Sequence, residues 1–229
     1  MIVAIHQPNY LPWIGYFDKM DRCDKFVLLD DVKHSKSSIT HRNKLLNSGK
    51  DEYLTVSLKN KESQINELII DNSNDILYKH WRIIKQNYSK SKHWTYISSE
   101  LEYIYSKKWD KLVDLNIALI KLIKEKLDIK TKLIKSSELD LPNSFGSKRN
   151  LDICLKLSAD TYLSGNGAKK YNNESDYINN NINLIYQDFI HPTYNQGLDN
   201  FVERMSIIDL IFNCGKDSIH IIRNANNRI

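Results

Sequence analysis

Ile2-Val3-Ala4-Ile5-His6-Gln7-Pro8-Asn9-Tyr10-Leu11-Pro12-Trp13 opens on four apolar residues and then turns polar and proline-containing. The apolar residues read as a buried strand. Pro8 and Pro12 exclude helix from the polar part, because each fixes its own φ and pushes the preceding residue into extended backbone. His6, Gln7, Asn9 and Tyr10 are therefore expected on a stiff loop at the C-terminal end of a strand. A second apolar run, Phe26-Val27-Leu28-Leu29, ends on Asp30-Asp31. Two strands that deliver polar residues at their C-terminal ends are how an open α/β sheet builds a ligand site at its edge.

Outward from this stretch, a helical pattern over 13–20 separates the two strands, giving a β-α-β unit whose connection is long enough for parallel pairing. A polar loop through Lys33–Arg42 leads into a β run, Tyr53-Leu54-Thr55-Val56-Ser57-Leu58. From 74 to 127 there is no proline, and Leu112, Leu115, Leu119, Leu122 and Ile123 recur at helical steps, so an inserted helical subdomain is expected there. Its dense aromatics, among them Trp81, Tyr88, Trp94 and Tyr105, are expected to pack the helices together rather than to form a stacking platform. Alternation then resumes, with strands at 131–135, 160–163 and 182–187 and a helix at 150–157. The expected fold is a single α/β domain over 1–229, with a mainly parallel Rossmann-like sheet flanked by helices and a helical insertion at 74–127.

A chain of 229 residues with 41% hydrophobic content can bury one sizeable core. No apolar stretch approaches the roughly 20 residues needed to span a bilayer. The N-terminus enters a strand pattern rather than a cleavable leader, so a cytoplasmic protein is expected. The 33 basic residues exceed the 28 acidic ones by a net +5, but the signs are interspersed, which favours an anionic small-molecule partner over nucleic acid. Cys23, Cys154 and Cys214 lie far apart without CxxC spacing, which points to neither a disulfide framework nor a zinc site. Cys154 falls in an apolar helical pattern and reads as core.

Several segments carry candidate chemistry. In Ser164-Gly165-Asn166-Gly167-Ala168-Lys169, the glycines would let backbone N–H groups approach a phosphate, Lys169 would help neutralise it, and a following helix start would add favourable partial charge. A plain strand-to-helix turn is the alternative. The polar loop, with Lys36 inside it and Arg42 at its end, could close over a ligand and offer a bidentate contact to a carboxylate or phosphate. His191 could act as a general base oriented by Asp188, or be an ordinary turn residue. His6 is either a site residue or a strand-end histidine simply hydrogen-bonded to backbone. One of Asp30 and Asp31 could bind Mg²⁺ beside a nucleotide phosphate, and since neighbouring side chains on a strand point to opposite faces, only one can serve a given site.

The ordered motifs Gln7-Pro8-Asn9-Tyr10-Leu11-Pro12-Trp13, Asp30-Asp31-Val32, Arg42-Asn43, Leu54-Thr55-Val56, Asp160-Thr161-Tyr162-Leu163-Ser164-Gly165, His191-Pro192-Thr193-Tyr194 and Ser206-Ile207-Ile208-Asp209 cover almost the whole chain. In them the chain resembles the WbqC-like family of bacterial polysaccharide gene clusters. The resemblance implies transfer of an amino acid such as glycine to the amino group of a sugar nucleotide during surface-glycan synthesis, with no established catalytic residue to carry over. His6, Gln7, Tyr10, Asp30, Asp31 and Arg42 are candidates on placement. An acyl adenylate formed from ATP with Mg²⁺ is one route. It is weakened because Pro8 and Asn9 stand where an HxGH signature needs glycine and the second histidine. Transfer from an acyl carrier or charged tRNA, and non-catalytic binding of a sugar nucleotide, are the alternatives.

Overall fold

The computed structural model describes residues 1–225 apart from 36, 37 and 48. Ile2–His6 forms β1, Ile14–Asp21 forms α1 and Lys25–Leu28 forms β2. A hairpin comes next, of β3 (Arg42–Asn47) and β4 (Lys50–Thr55), and then three helices, α2 (Ile76–Tyr88), α3 (Ser98–Ser106) and α4 (Leu112–Lys126). The chain continues through β5 (Lys132–Lys135), α5 (Gly146–Lys156), β6 (Thr161–Ser164), α6 (Glu174–Asn179) and β7 (Asn183–Tyr186), and ends on α7 (Ile207–Cys214) and α8 (Ser218–Asn224). No helix among the described residues is long and apolar enough to cross a membrane.

The main sheet is five-stranded and wholly parallel, in the order β5-β2-β1-β6-β7. The chain starts at the centre, builds outward to β2 and β5, then crosses over to build β6 and β7 on the other side. That reversal places the topological switch point between β1 and β6. The two-residue period of the strands assigns their side chains to opposite faces. Ala4, Phe26, Leu28 and Leu163 join one buried cluster with α1, α4, α7 and α8, whereas Val3, Ile5, Val27 and Tyr162 join a second with Leu151, Ile153, Cys154 and Tyr177 of α5 and α6. The sheet is therefore covered on both faces, as near-continuous apolar strands require.

Two local readings change. Of the β run expected over 53–58 only Tyr53–Thr55 is strand, as the end of β4, which pairs antiparallel with β3 outside the main sheet. The cause is the turn after Asn47, where Gly49 adopts φ +79°, a left-handed conformation that glycine reaches without steric cost. Secondly, no α-helix starts directly behind the Ser164–Gly167 turn. Asn166–Ala168 makes one 3₁₀ turn, and α6 begins only at Glu174, so the helix-end charge expected there is missing.

The aromatics of the helical stretch pack against each other and against α7. Trp81 stacks on Trp94 and Tyr105, and both Tyr88 and Trp94 stack on Phe212 with ring centroids about 5 Å apart.

Candidate functional site

A cavity of about 840 Å³ opens where the C-terminal ends of β1 and β6 diverge. This is where open parallel sheets hold their ligands, since the adjacent loops leave in opposite directions. His6 and Gln7 line it from β1, and Ser164, Gly165, Asn166 and Gly167 from β6. The volume lies within the range of small-molecule sites. Gln7 is fixed by the polar loop, its Oε1 accepting from Thr40 Oγ1 at 3.1 Å and from Ser38 Oγ at 3.3 Å. The hairpin adds Asn43, Lys44 and Tyr53 to the wall.

Aromatic surface comes from Trp13, which meets Phe189 edge-to-face at 5.2 Å, and both rings line the cavity. The Trp13 ring lies over Gly15 so closely that a Cβ there would stand 2.2 Å from it. Only glycine fits beneath it. Gln187, at the end of β7, donates to Gly15 O at 2.8 Å and to Asp18 Oδ2 at 2.7 Å, which anchors α1 to the sheet beside the cavity.

Two basic side chains of the wall are shifted in pKa by burial. Burial, followed by the nearby Lys19 charge, lowers the His6 pKa to about 3, against a small opposing effect of its bond to the Gln7 carbonyl. That bond makes Nδ1 the protonated nitrogen and leaves the lone pair on Nε2. Lys19, on α1, is almost fully buried yet lines the same cavity, and its Nζ donates to Ile5 O at 2.9 Å. Desolvation lowers its pKa to about 7, with the neighbouring Cys23 acting weakly in the other direction.

The segment 187–205, without regular secondary structure, passes along the cavity and contributes Phe189, His191, Glu203 and Arg204. His191 reaches the predicted edge, but its ring is held by backbone rather than by Asp188. Arg204 N–H donates to Nε2 at 3.2 Å, so Nδ1 carries the hydrogen and donates to Pro192 O at 2.8 Å. Neither nitrogen then has an unused lone pair, and this geometry does not place a general base there. The segment is tied down at Asp209 on α7, whose carboxylate accepts from Tyr194 Oη at 2.6 Å, Gln196 Nε2 at 2.9 Å and Tyr88 Oη at 2.9 Å.

The remaining expected residues lie elsewhere. Asp30 is buried and accepts from Ser137 N at 2.9 Å and Ser137 Oγ at 2.7 Å, while Asp31 pairs with Arg149 and accepts from Ser136 Oγ at 2.6 Å. They bind the end of β2 to the segment after β5. With their oxygens so engaged they do not present an open carboxylate set for Mg²⁺. Arg42 sits over the Tyr53 ring at 5.0 Å, outside the cavity lining. Tyr10 is buried, bonding His80 Nδ1 at 2.8 Å and Tyr105 Oη at 2.6 Å, and Asn9 is buried beside it in sequence. Lys169 lies 5.6 Å from the Tyr186 ring and does not line the cavity. Lys36 lies outside the described residues.

Lys19, Trp13, Gln187 and Phe189 were missed as site residues. A signal existed for Lys19: it stands one turn after Gly15 in a helix otherwise rich in large apolar residues, directly behind the polar loop. Such a lysine reads as a solvated helix face unless the neighbouring strands are known.

A family model described as the WbqC-like protein family matches residues 7–221, which begin at Gln7 directly behind β1 and include β6, its glycine turn and the segment 187–205, the strap along the cavity. The uncharacterized protein Rv1507c of Mycobacterium tuberculosis is 32% identical over 226 residues, covering 96% of this chain and 97% of that protein. No solved structure matches. With near end-to-end coverage in both comparisons, the chain belongs to the WbqC-like protein family.

Proposed function

We propose that the cavity binds a nucleotide-linked amino sugar and that the protein transfers an aminoacyl group, such as glycyl, to the sugar's amino group in surface-polysaccharide biosynthesis. The observation that carries this reading is the cavity's position at the switch point of a parallel sheet, walled by His6 and Gln7 on one side and the Ser164–Gly167 turn on the other. Trp13, Tyr53 and Phe189 supply apolar surface for a base or sugar face. The glycine turn lets a phosphate approach the backbone.

Amide formation requires an activated acyl group and an acceptor amine in its neutral form. His6, neutral through burial and with Nε2 as acceptor, suits the orienting of an amine N–H; its lowered basicity argues for positioning the nucleophile over wholesale proton removal. The new C–N bond forms at the acyl carbon as the activating group leaves with its electron pair, and the amine's proton departs with that group or to solvent. A nucleotide-activated acyl donor and one delivered by a carrier or tRNA are both compatible with this site.

Purified protein is incubated with a nucleotide-linked amino sugar, glycine and either ATP or glycyl-tRNA, and products are read by mass spectrometry. A glycylated sugar nucleotide is the expected product, and the cosubstrate that sustains it identifies the donor. Tight calorimetric binding of the sugar nucleotide with no product under any donor would overturn the transferase and leave a binding protein.

A further inference from the structure

We propose that Lys19 is the charge partner of a ligand anion, a phosphate or pyrophosphate group seated in the cavity against its ammonium and the adjoining Gly165 turn, where β1 and β6 diverge. The identity of the molecule carrying that anion rests on the functional reading above; the subsite itself does not.

Three observations converge. Lys19 is only 2% exposed, yet lines the cavity. Its bonded partner is a neutral carbonyl, Ile5 O, and no carboxylate among the described residues lies within ion-pair distance of it. A buried ammonium with spare donors and no counter-charge is costly and gains from an anion more than a solvated lysine would. Finally, Gly165 lies beside it: a Cβ there would come to 3.9 Å from Lys19 Nζ, so the ammonium sits next to a turn whose backbone no side chain covers at that position, and a branched side chain there would crowd the ammonium. Lys169, the expected phosphate partner in this turn, points its charge to the Tyr186 ring instead.

The surroundings set how this charge behaves in the free protein. The groups acting on the Lys19 charge are His6 from β1, Cys23 beyond α1 and, from β2, the Phe26 ring at 5.9 Å. Lys44, Tyr53, Tyr162, His191, Glu203 and Arg204 are the remaining charged or titratable residues of the cavity wall. With its pKa held near 7, the amine of the free protein is largely neutral above that pH. Anion binding restores the ordinary basicity, so binding draws a proton from solvent.

The test is titration calorimetry of the full chain at pH 8 in buffers of different ionisation enthalpy, with sulfate and with UDP-glucose, neither of which titrates near that pH. Uptake of about one proton per site is expected at pH 8, falling towards zero at pH 6. Lys19→Met should abolish the uptake and weaken binding roughly 10- to 100-fold. Gly165→Val, at a backbone conformation valine accepts, should block binding while Lys19 stays in place. If Lys19→Met does not fold by circular dichroism, the wild-type uptake and the Gly165 variant decide. Binding without proton uptake, or affinity kept in Lys19→Met, overturns the proposal and leaves the sugar-nucleotide reading intact. Sulfate binding with uptake but no UDP-glucose binding supports the anion subsite and counts against that reading. Binding of neither probe overturns the subsite.

Discussion

Asn116, in the middle of α4, donates through Nδ2 to the carbonyl oxygen of Pro8 at 2.8 Å, across 108 residues of sequence. The same amide reaches Thr40 O at 2.8 Å. One fully buried side chain thus clamps the loop after β1 to the loop before β3, the two segments that shape the cavity beside Gln7. The helical stretch thereby reaches the site it does not itself line.

Replacing Asn116 with Ala leaves the buried Pro8 carbonyl without this donor, whereas Thr40 O keeps the Tyr10 N–H, and should destabilise the protein by about 1 to 3 kcal/mol. Urea denaturation measures the loss. Hydrogen exchange should rise at 8–11 and at 38–41 before it rises in the sheet; uniform protection in the variant would contradict the clamp.

Asp30 and Asp31 are expected to act on stability and not on ligand. Asp30→Ala removes the acceptor of Ser137 N and Ser137 Oγ at the junction of β2 with the segment after β5, at a cost of roughly 2 to 3 kcal/mol. Calorimetric affinity for a sugar nucleotide should remain within about twofold, since neither residue lines the cavity. A variant that keeps its stability and loses its ligand would return Asp30 to the site.

Acid should unfold the protein from an unusually high pH. His6 is lowered to about 3, and His41 and His80 to about 4, each chiefly by burial. Their folded pKa values lie below the unfolded value of about 6.5, so the unfolded chain binds more protons. Stability is full above pH 6.5 and falls as pH drops towards 4. For His80 alone the loss is roughly 3 kcal/mol across that window. His80→Gln should lower the urea midpoint at pH 7.5 yet flatten its dependence between pH 6.5 and 4; an unchanged slope would sink this account.

Asp209 holds the strap through Tyr194 and Gln196. Asp209→Ala should free the stretch carrying Phe189, His191 and Arg204, seen as limited proteolysis confined to 188–205 while the rest of the chain resists. Sugar-nucleotide affinity should drop about tenfold or more, because part of the cavity wall is no longer held. Burial raises the Asp209 pKa, so the carboxyl ionises at a cost in the folded state; this contribution to stability is greatest below the unfolded carboxylate pKa and is lost as pH rises through the folded one.

Much of the architecture was legible in local pattern. The run Ile2–Ile5, the helical periodicity over 112–123, and the strand-helix alternation after 131 each report which side chains alternate faces, and that is a short-range property. The proline loop and the glycine turn were likewise local, because Pro and Gly act on their own backbone. The family motifs located the same segments. The sequence by itself therefore determined a parallel α/β sheet and three of the segments that wall the cavity, at His6-Gln7, Ser164–Gly167 and His191.

The tertiary structure decided the rest, because partner choice across a sheet is not encoded in the period of any one strand. Only the order β5-β2-β1-β6-β7 sets β1 beside β6 and turns two separate strand ends into one cavity. The same order carries Asp30 and Asp31 away to Ser136, Ser137 and Arg149, and buries Tyr10 against His80 and Tyr105. It also brings Lys19 under Gly165 from a helix whose own sequence reads as ordinary, since burial of a charge depends on what packs over it from distant parts of the chain.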